Sequence, residues 1–495
     1  MENEYREIRL QKAARLRELG VDPYALRTPE RQPCAALVKA FEANNPEGTT
    51  EPKPVPGATA GRVLSLRMMG KKVAFLDVWD ESGKIQFYIN QKEVSPQEWE
   101  VFTNLDLGDW LWGKGDVTRT KTGEITLFVK TLKLLTKSLA VPPLEKSGGL
   151  QEKELRYRKR YADLLADPER RKTFATRSRV IFEIRKFLDG RGFMEVETPV
   201  LHAIAGGGTA RPFVTHHNTL DQDLYLRIAL ELPLKRLLVG GFEKVYEIGR
   251  NFRNEGVDAT HNPEFTMLEL YQAYTDYYGM MELMESMLVH LLKTIRGADT
   301  DLSKVEWDGQ VLNFTPPFRR VSYGELFKEC TGIDMNDEAA VRAKAASLDI
   351  PKTFGHWKLV DELFDRFVQG KLDNPTFLTD YPTAICPLAK KKVENPQVAE
   401  RFEIFCKGME LGNAFSELND PVDQLARFEE QVKKGKVEKD EEVPKEVDYD
   451  YVEALEYGMP PAGGIGIGID RIVMLMTNQH SIRDILLFPH MRKEE

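Results

Sequence analysis

The sequence GRNFRNEGVDATHNPEF, residues 249–265, carries the strongest structural signal in the chain. It places Arg253 and His261 among acidic side chains and between two phenylalanines, with Arg250 just before the first of them. Gly256 supplies the backbone freedom that a tight connection needs, so the pattern predicts two antiparallel strands joined by a loop that contains it. A guanidinium grips two oxygens at once, which suits phosphate or carboxylate, and an aromatic ring offers a face to a flat base. A polar surface hairpin fits the same pattern.

The composition is that of an ordinary globular protein. With 495 residues, 42% of them hydrophobic and 30% charged, the chain can form two or three domains and at least one sizeable core. The net charge of −9 excludes a protein coated in basic residues, although it allows a local basic groove on an acidic body. The four cysteines form no CxxC pair, so no zinc-ribbon spacing or disulfide framework follows from them.

The sequence predicts a soluble, cytoplasmic protein with reduced thiols and no membrane partner. Its first residues, MENEYREIRL, are acidic and lack the apolar core of a signal peptide. The most apolar late run, residues 465–476, is interrupted by Asp470 and Arg471 and is too short to span a bilayer.

The pattern of the sequence changes near residue 59. Two helices are predicted before it, over residues 3–20 and 34–43, and a proline-rich linker follows them. From residue 59 to about 139, five short alternating strands favour a small closed barrel such as an OB-fold. Phe75 or Phe87 fits the barrel core as well as its outer face. On the outer face, single-stranded bases would meet a cation, rings and an amide, namely Arg67, Phe75, Gln86 and Phe87.

Three later segments concentrate glycine or polar residues. Residues 205–213 form a glycine-rich loop without a P-loop or dinucleotide fingerprint, so its glycines are expected to let a small ligand approach the backbone. Residues 401–420 return to strand character and crowd polar side chains at close spacing. Residues 462–476 predict a glycine-rich strand running into an apolar helix, with Arg471 where the two meet.

Together these segments resemble a class II aminoacyl-tRNA synthetase and, within that class, the lysyl-tRNA synthetases. The similarity extends from the barrel to Pro489. Residues 192–199 resemble the first class-defining motif, residues 252–265 the second, and residues 464–471 the third. One such motif occurs by chance, whereas three in this order and spacing are specific.

The resemblance implies an α+β fold, in which an OB-fold anticodon-binding domain precedes an antiparallel catalytic sheet flanked by helices. It also implies a homodimer formed through the first motif and a tRNA(Lys) partner. The implied domains are a helical extension and linker over residues 1–57, the barrel over 58–142, and a catalytic domain over 143–495 with a mostly helical insertion around 290–372.

The resemblance further implies an ATP site. Arg253 would bind the α-phosphate of ATP and the carboxylate of the amino acid, and it would be catalytic together with Arg471. Glu255 and His261 would contact the nucleotide. Phe265 would stack on adenine, with Arg471 on the other face of the base. Positioning and charge stabilisation would supply most of the rate, and no covalent nucleophile is needed.

Two further sets of residues follow from the resemblance. Glu403 and Glu410 would hold Mg²⁺ bridging the phosphates, because hard oxygen ligands with few protein contacts are what Mg²⁺ prefers. On the barrel, the anticodon would be bound by Arg67, Phe75 and Gln86.

Residue chemistry supports lysine as the amino acid. Glu269, Glu417 and Tyr271 offer two carboxylates and a phenol, which suit a long cation because an ammonium carries three donors and no acceptor. Glu231 resembles the residue that holds the α-amino group, with help from the backbone of Gly207. The full set that the resemblance assigns to lysine is Gly207, Glu231, Arg253, Glu269, Tyr271, Asn413, Phe415 and Glu417.

A few positions depart from the family pattern. Leu230 and Pro233 stand where the family commonly has proline and tyrosine, and they would alter how Glu231 is presented to a substrate. Gly208 replaces the usual alanine, and Cys386 the usual serine. None of these departures removes a named catalytic residue.

Two alternative functions share much of this pattern. A related aspartate or asparagine ligase has the same barrel and core, although its pocket needs a cation or a neutral donor–acceptor set. A regulator that binds RNA without charging it is the other alternative. Retention of Arg253, Glu403, Glu410 and Arg471 argues against a regulator.

Overall fold

The structure, a computed structural model, describes residues 2–46, 49–144, 149–351, 353–438 and 442–493. The chain divides into two compact units, Met1–Pro168 and Glu169–Glu495, called here the N-terminal and C-terminal units. Residues 47 and 48 of the expected linker lie outside the described residues. No helix in the described parts of the chain is both long enough and apolar enough to cross a membrane.

The N-terminal unit is built around a closed five-stranded barrel of strand order β1-β2-β3-β5-β4, which confirms the expected OB-type barrel. Neighbouring strands are antiparallel except for β3 and β5. The elements are α1 (Glu2–Glu18), α2 (Cys34–Asn44), β1 (Val55–Met69), β2 (Val73–Asp80), β3 (Gly83–Asn90), α3 (Pro96–Thr103), β4 (Trp110–Arg119), β5 (Ile125–Thr136), α4 (Lys153–Arg158) and α5 (Arg160–Ala166).

Alternation along β2 and β3 decides which side chains fill the barrel. Leu76 and Phe87 are fully buried, whereas Phe75 and Gln86 are half-buried on the outer face. Successive side chains of a strand point to opposite faces, so Gln86 and Phe87 cannot share one. Of the two placements open for Phe87, the structure therefore supports the core, and its expected place on the outer face is wrong.

A charge network joins α1 to the barrel. The fully buried ammonium of Lys137 donates to the carbonyl of Asn104 at 2.8 Å and to the carboxylates of Asp106 and Asp109 at 2.6 and 2.8 Å. Lys12 of α1 adds an ion pair to Asp106 at 2.7 Å. Each of the three donors of Lys137 has an acceptor. We call these four charged residues (Lys12, Asp106, Asp109, Lys137) the Lys137 network.

The C-terminal unit contains α6 (Glu169–Asp189), β6 (Met194–Glu195), β7 (Leu201–His202), β8 (Val214–His217), β9 (Gln222–Leu226), α7 (Glu231–Val239), β10 (Lys244–Phe252), β11 (Glu264–Ala273), α8 (Tyr277–Arg296), β12 (Val305–Trp307), β13 (Gln310–Leu312), β14 (Arg319–Ser322), α9 (Tyr323–Thr331), α10 (Glu338–Ala346), α11 (His356–Phe367), β15 (Thr376–Thr379), β16 (Arg401–Cys406), β17 (Met409–Ser416), α12 (Pro421–Glu438), α13 (Tyr449–Glu456), β18 (Ala462–Gly468), α14 (Ile469–Thr477) and α15 (Ile482–Ile485).

Its main sheet has the order β14-β15-β16-β17-β18-β11-β10-β6. The strands from β15 to β10 are antiparallel, and parallel pairs occur only at the two ends, β14 with β15 and β6 with β10. The expected antiparallel sheet flanked by helices is thus confirmed. The segment expected as a mostly helical insertion, residues 290–372, contains α9 to α11 but also gives β14 to the main sheet.

One face of this sheet is apolar and the other is left open for a ligand. Leu268 and Leu270 of β11 and Ile465 and Ile467 of β18 join the core with the methionine-rich helix α8. By alternation, the intervening residues face the opposite way. On β18 these residues are glycines 464, 466 and 468, which leave space above the centre of the sheet.

Candidate functional site

Residues 249–265 contain the junction of the predicted pair of antiparallel strands. Strands β10 and β11 pair from Lys244 opposite Gln272 to Phe252 opposite Glu264, and residues 253–263 connect them. A cavity of about 490 Å³ opens beside this connection. It is lined by Gly207, Glu231, Arg253, Glu255, His261, Phe265, Glu269, Tyr271, Glu403, Glu410, Asn413, Phe415 and Arg471.

One part of the cavity lining carries a cation and a ring. The guanidinium of Arg253 lies 5.2 Å from the centre of the Phe265 ring, and its buried Nε has no hydrogen-bond partner among the described residues. His261 is held by Asp258 at 2.8 Å. Partial burial raises the pKa of Asp258, but hydrogen bonds from Thr260 and His261 outweigh it and lower the pKa to about 2. The arrangement suits an anion beside a flat ring.

Another part of the site carries buried carboxylates. Glu269 accepts hydrogen bonds from the Tyr271 hydroxyl at 3.0 Å and from the backbone N–H of Leu230 at 2.9 Å. Glu417 does not line the cavity but lies behind Gly464, where a Cβ would overlap its Oε1 and the Tyr271 ring. This Oε1 is buried without a hydrogen-bond partner in the described part of the chain. Glycine at position 464 therefore leaves room for an acceptor that is ready for a donor.

Burial perturbs these carboxyl groups strongly. It raises the pKa of Glu269 to about 7, and the nearby Glu231 adds to the effect. Burial likewise raises the pKa of Glu417 to about 8, although Lys235 opposes it. Grouped carboxyl groups with raised pKa values are typical of binding and catalytic sites. A bound cation would favour their ionised forms.

Sequence reasoning missed Lys235, which lies at the centre of this group. Its side chain is fully buried, and its ammonium is 2.6 Å from Glu231 Oε1 and in contact with Glu417 Oε2. The rings of Tyr271 and Phe415 lie 5.9 and 5.1 Å from it. The available signal was a Glu–Lys pair four residues apart on a helix, which usually marks an exposed face. We call Lys235, Glu231, Glu269 and Glu417 the pocket cluster.

The unusual residues before and within α7 are accommodated locally. Leu230 is fully buried at the N-cap of α7, and its N–H bonds to Glu269. Pro233 lies in the first turn of the helix, where a backbone N–H has no intrahelical acceptor. Glu231 still lines the cavity. At Cys386 the buried sulfur accepts a hydrogen bond from Arg401 at 3.3 Å.

The two candidate metal ligands lie on adjacent antiparallel strands, β16 and β17. Glu403 is bound by Arg401 at 2.5 Å and accepts from the Tyr381 hydroxyl at 2.8 Å, and Glu410 pairs with Arg471 at 3.4 Å. Burial raises the pKa of Glu403 to about 7 against the pull of Arg401, and Glu410 raises it further. Among the described residues no group of three or more His, Cys, Asp or Glu forms a metal cage. Two carboxylates without a cage fit Mg²⁺, which takes its remaining ligands from phosphates and water.

In the N-terminal unit, the candidate anticodon residues belong to a row that crosses the barrel. Arg67, Phe75, Tyr88 and Phe128 are cross-strand neighbours on β1, β2, β3 and β5. The Arg67 guanidinium lies 5.5 Å from the Phe75 ring, and successive ring centres are 5.2 and 4.7 Å apart. Gln86 is on the same face and accepts from Thr126 at 3.0 Å. Tyr88 and Phe128 were missed because strand register decides which rings become neighbours.

Fold and site together define a class II aminoacyl-tRNA synthetase, with its central antiparallel sheet, its strand pair around an arginine-bearing cavity, and an OB-type barrel. The family model for class II tRNA synthetases (D, K and N) matches residues 152–492, and that for the OB-fold nucleic acid binding domain matches residues 58–135.

Curated relatives show to which family within the class II synthetases the chain belongs. The chain is 48% identical to the lysine–tRNA ligase of Thermoanaerobacter pseudethanolicus over 495 residues, covering 99% of this chain and 96% of the relative. It is 49% identical to that of Moorella thermoacetica over 499 residues, covering 100% and 99%. With that of Enterococcus faecalis it shares 48% over 492 residues, covering 98% and 97%. The chain belongs to the lysine–tRNA ligase family, as its motifs predicted.

Proposed function

We propose that this protein activates L-lysine with ATP and transfers the lysyl group to the 3′ end of tRNA(Lys). The pocket cluster carries this proposal: Glu231, Glu269 and Tyr271 line the cavity that also presents Arg253, and Glu417 lies behind Gly464 in contact with Lys235. Such a site is complementary to an amino acid with ammonium groups at both ends and a carboxylate near the reacting phosphate.

ATP would be bound in the part of the cavity that Arg253 and Arg471 line. Arg253 takes the α-phosphate and the substrate carboxylate, and Arg471 takes the far phosphates and one face of adenine. Phe265 stacks on the other face, and Glu255 and His261 contact the nucleotide. The orphaned Nε of Arg253 and the distance of its guanidinium to Phe265 support these roles.

Lysine would be bound by the pocket cluster. Glu231 and the Gly207 backbone hold the α-amino group, while Glu417 and Tyr271 hold the ε-ammonium. Glu269 fixes Tyr271 through the hydrogen bond of 3.0 Å. Asn413 and Phe415 complete the lining of the pocket.

The reaction then needs positioning more than covalent help. A carboxylate oxygen of lysine attacks the α-phosphorus in line, the bond to pyrophosphate breaks, and lysyl-adenylate forms. A terminal ribose hydroxyl of tRNA next attacks the lysyl carbonyl, AMP leaves, and the hydroxyl proton is lost. Arg253 and Arg471 lower both barriers by holding the phosphate charge where it develops. Mg²⁺, held by Glu403 and Glu410, would neutralise the phosphate oxygens.

The N-terminal barrel would bind the anticodon. Phe75 offers its face to a base, and Arg67 and Gln86 supply a cation and an amide. Tyr88 and Phe128 extend the stacking surface along the row described above.

A homodimer is proposed through residues 192–199, in the cytoplasm. The supporting observation is strand β6 at the edge of the main sheet, which carries Met194 with 51% of its surface exposed. An edge strand with an exposed apolar side chain favours a partner. Sedimentation of the purified chain tests this state.

Amino-acid-dependent ATP–pyrophosphate exchange tests the catalytic proposal. Lysine should drive the exchange, whereas aspartate and asparagine should not. Exchange driven by aspartate or asparagine would assign the related ligases instead. Binding of tRNA with no exchange under any amino acid would assign a regulator that does not charge tRNA.

A further inference from the structure

The pocket cluster contains a cation that the proposed chemistry does not use. Lys235 follows Glu231 by one helical turn on α7, and its ammonium contacts both Glu231 and Glu417. These are the two carboxylates proposed to receive the two ammonium groups of the substrate. One internal lysine thus joins the receptor of the α-amino group to that of the side-chain ammonium.

With its carboxylates ionised, the cluster carries more negative than positive charge, and a bound diamino acid would balance it. Two carboxylates, of Glu231 and Glu417, contact the one internal ammonium, that of Lys235, and a third, of Glu269, lies near Glu231. Lysine would bring two more ammonium groups, which makes three cations for three anions, and its carboxylate would balance Arg253. An amino acid with a neutral side chain would leave one buried carboxylate uncompensated, which is costly.

We propose that Lys235 is a positioning and specificity-determining residue for lysine. Its ammonium orients Glu231 and Glu417 as a linked pair and sets the number of ammonium groups that the pocket accepts at two. This inference rests on the proposed function, because it assigns Glu231 and Glu417 to lysine. Lys235 itself touches neither substrate nor reacting atoms.

The alternative is that Lys235 only stabilises α7, and the chain offers a matched control. Lys137 is also fully buried between two carboxylates, but in the barrel of the N-terminal unit. Lys235→Met and Lys137→Met therefore remove equivalent charges from different environments. Both preserve most of the side-chain volume.

Steady-state ATP–pyrophosphate exchange on the full-length variants separates the two roles. In K235M the KM for lysine should rise roughly 100-fold, because one buried carboxylate loses its counterion. The KM for ATP and kcat at saturating lysine should stay within about 3-fold of the wild type, since Arg253, Phe265 and Arg471 are unaltered. K137M should leave the KM for lysine unchanged. An unchanged KM for lysine in K235M would overturn the proposal.

A second variant covers poor folding of K235M. Lys235→Gln removes the charge but keeps hydrogen-bond donors toward Glu231 and Glu417, and it should give the same selective rise in the KM for lysine. Equal losses for lysine and ATP, or failure of both variants to fold, would assign Lys235 to stability and overturn the proposal. Absence of lysine-dependent exchange in the wild type would instead contradict the proposed function.

Discussion

Two fully buried lysines of this chain, Lys137 and Lys235, have similar partners and different surroundings. Each contacts two carboxylates, of Asp106 and Asp109 in one case and of Glu231 and Glu417 in the other. In the Lys137 network every donor of the Lys137 ammonium is used, and Asp109 also accepts from the backbone N–H of Asp106 at 2.8 Å. In the pocket cluster, Glu417 keeps an oxygen without a hydrogen bond among the described residues, behind a cavity.

The pKa shifts of the two clusters run in opposite directions. Burial alone would raise the pKa of Asp106, but hydrogen bonds from Lys12 and Lys137 lower it below its usual value. Burial raises the pKa of Glu417 to about 8 despite Lys235. A satisfied network keeps Asp106 ionised and holds the fold together. An incompletely satisfied one is ready to bind a cation.

The largest expected effect comes from removing the Glu417 carboxylate, whose Oε1 has no hydrogen-bond partner among the described residues. Glu417→Gln should raise the KM for lysine by about 1000-fold or abolish lysine-dependent exchange, because a buried ammonium loses its counterion. ATP binding, measured by calorimetry, should stay nearly intact. Glu429→Gln, an exposed position on α12, is the control and should have no effect. Lysine use at the wild-type level in E417Q would refute this account of the pocket.

Disrupting the Lys137 network should lower the stability of the protein rather than its affinity for lysine. Lys137→Met leaves the fully buried Asp109 and the half-buried Asp106 without their shared cation, so we expect the N-terminal unit to lose about 3–5 kcal/mol of its free energy of unfolding. Urea unfolding of the full chain, followed by tryptophan fluorescence, measures this loss. Lys130→Met removes an exposed ion pair with Asp116 and should change little. If K137M bound lysine more weakly but were as stable as the wild type, the assignment of Lys137 to stability would be contradicted.

The opposite pKa shifts place the two responses to pH in different pH ranges, although both lysine binding and the Asp106 contribution weaken as the pH falls. Because the pKa of Glu417 is raised to about 8 and that of Glu269 to about 7, protons compete with the substrate ammonium below these values. Lysine affinity should therefore rise about 10-fold or more from about pH 6 to pH 8. The contribution of the lowered Asp106 pKa to stability is present at neutral pH and is lost as the pH falls through its folded-state value.

Calorimetric titration of lysine across this pH range, and acid unfolding followed by circular dichroism, check the two responses. E417Q should show a weaker pH dependence of lysine binding than the wild type. A lysine affinity that is flat or falls from pH 6 to pH 8 would contradict the raised pKa values.

The smallest expected effect concerns the row of Arg67, Phe75, Tyr88 and Phe128 on the outer face of the barrel. Phe75→Ala removes one stacking face, worth about 1–3 kcal/mol per base, so the KM for tRNA in charging should rise about 10-fold or more. Lysine-dependent exchange should be unchanged, because it needs no tRNA. Tyr5→Ala, which removes an exposed ring on α1, is the control. Loss of both activities in F75A would indicate a core role for that ring.

Strand alternation predicted the barrel, because alternation is a local signal. The antiparallel catalytic sheet and most of the residues lining the cavity followed from the family resemblance that the three motifs carry. Sequence reasoning missed Lys235 because a lysine four residues after a glutamate on a helix usually pairs at the surface. It left Phe87 undecided between the core and the outer face of the barrel, and the structure buries the ring in the core. Tyr88 and Phe128 became neighbours only through the register of β3 with β5, and that register is a long-range property.

Direct binding of lysine analogues tests the central claim, that the pocket cluster needs two ammonium groups. Lysine, norleucine (which lacks the ε-amino group) and 6-aminohexanoate (which lacks the α-amino group) are titrated into the wild-type protein near pH 8 by calorimetry. We expect lysine to bind at least about 100-fold more tightly than either analogue, since each leaves a buried carboxylate uncompensated. Equal affinities for lysine and norleucine would contradict the account.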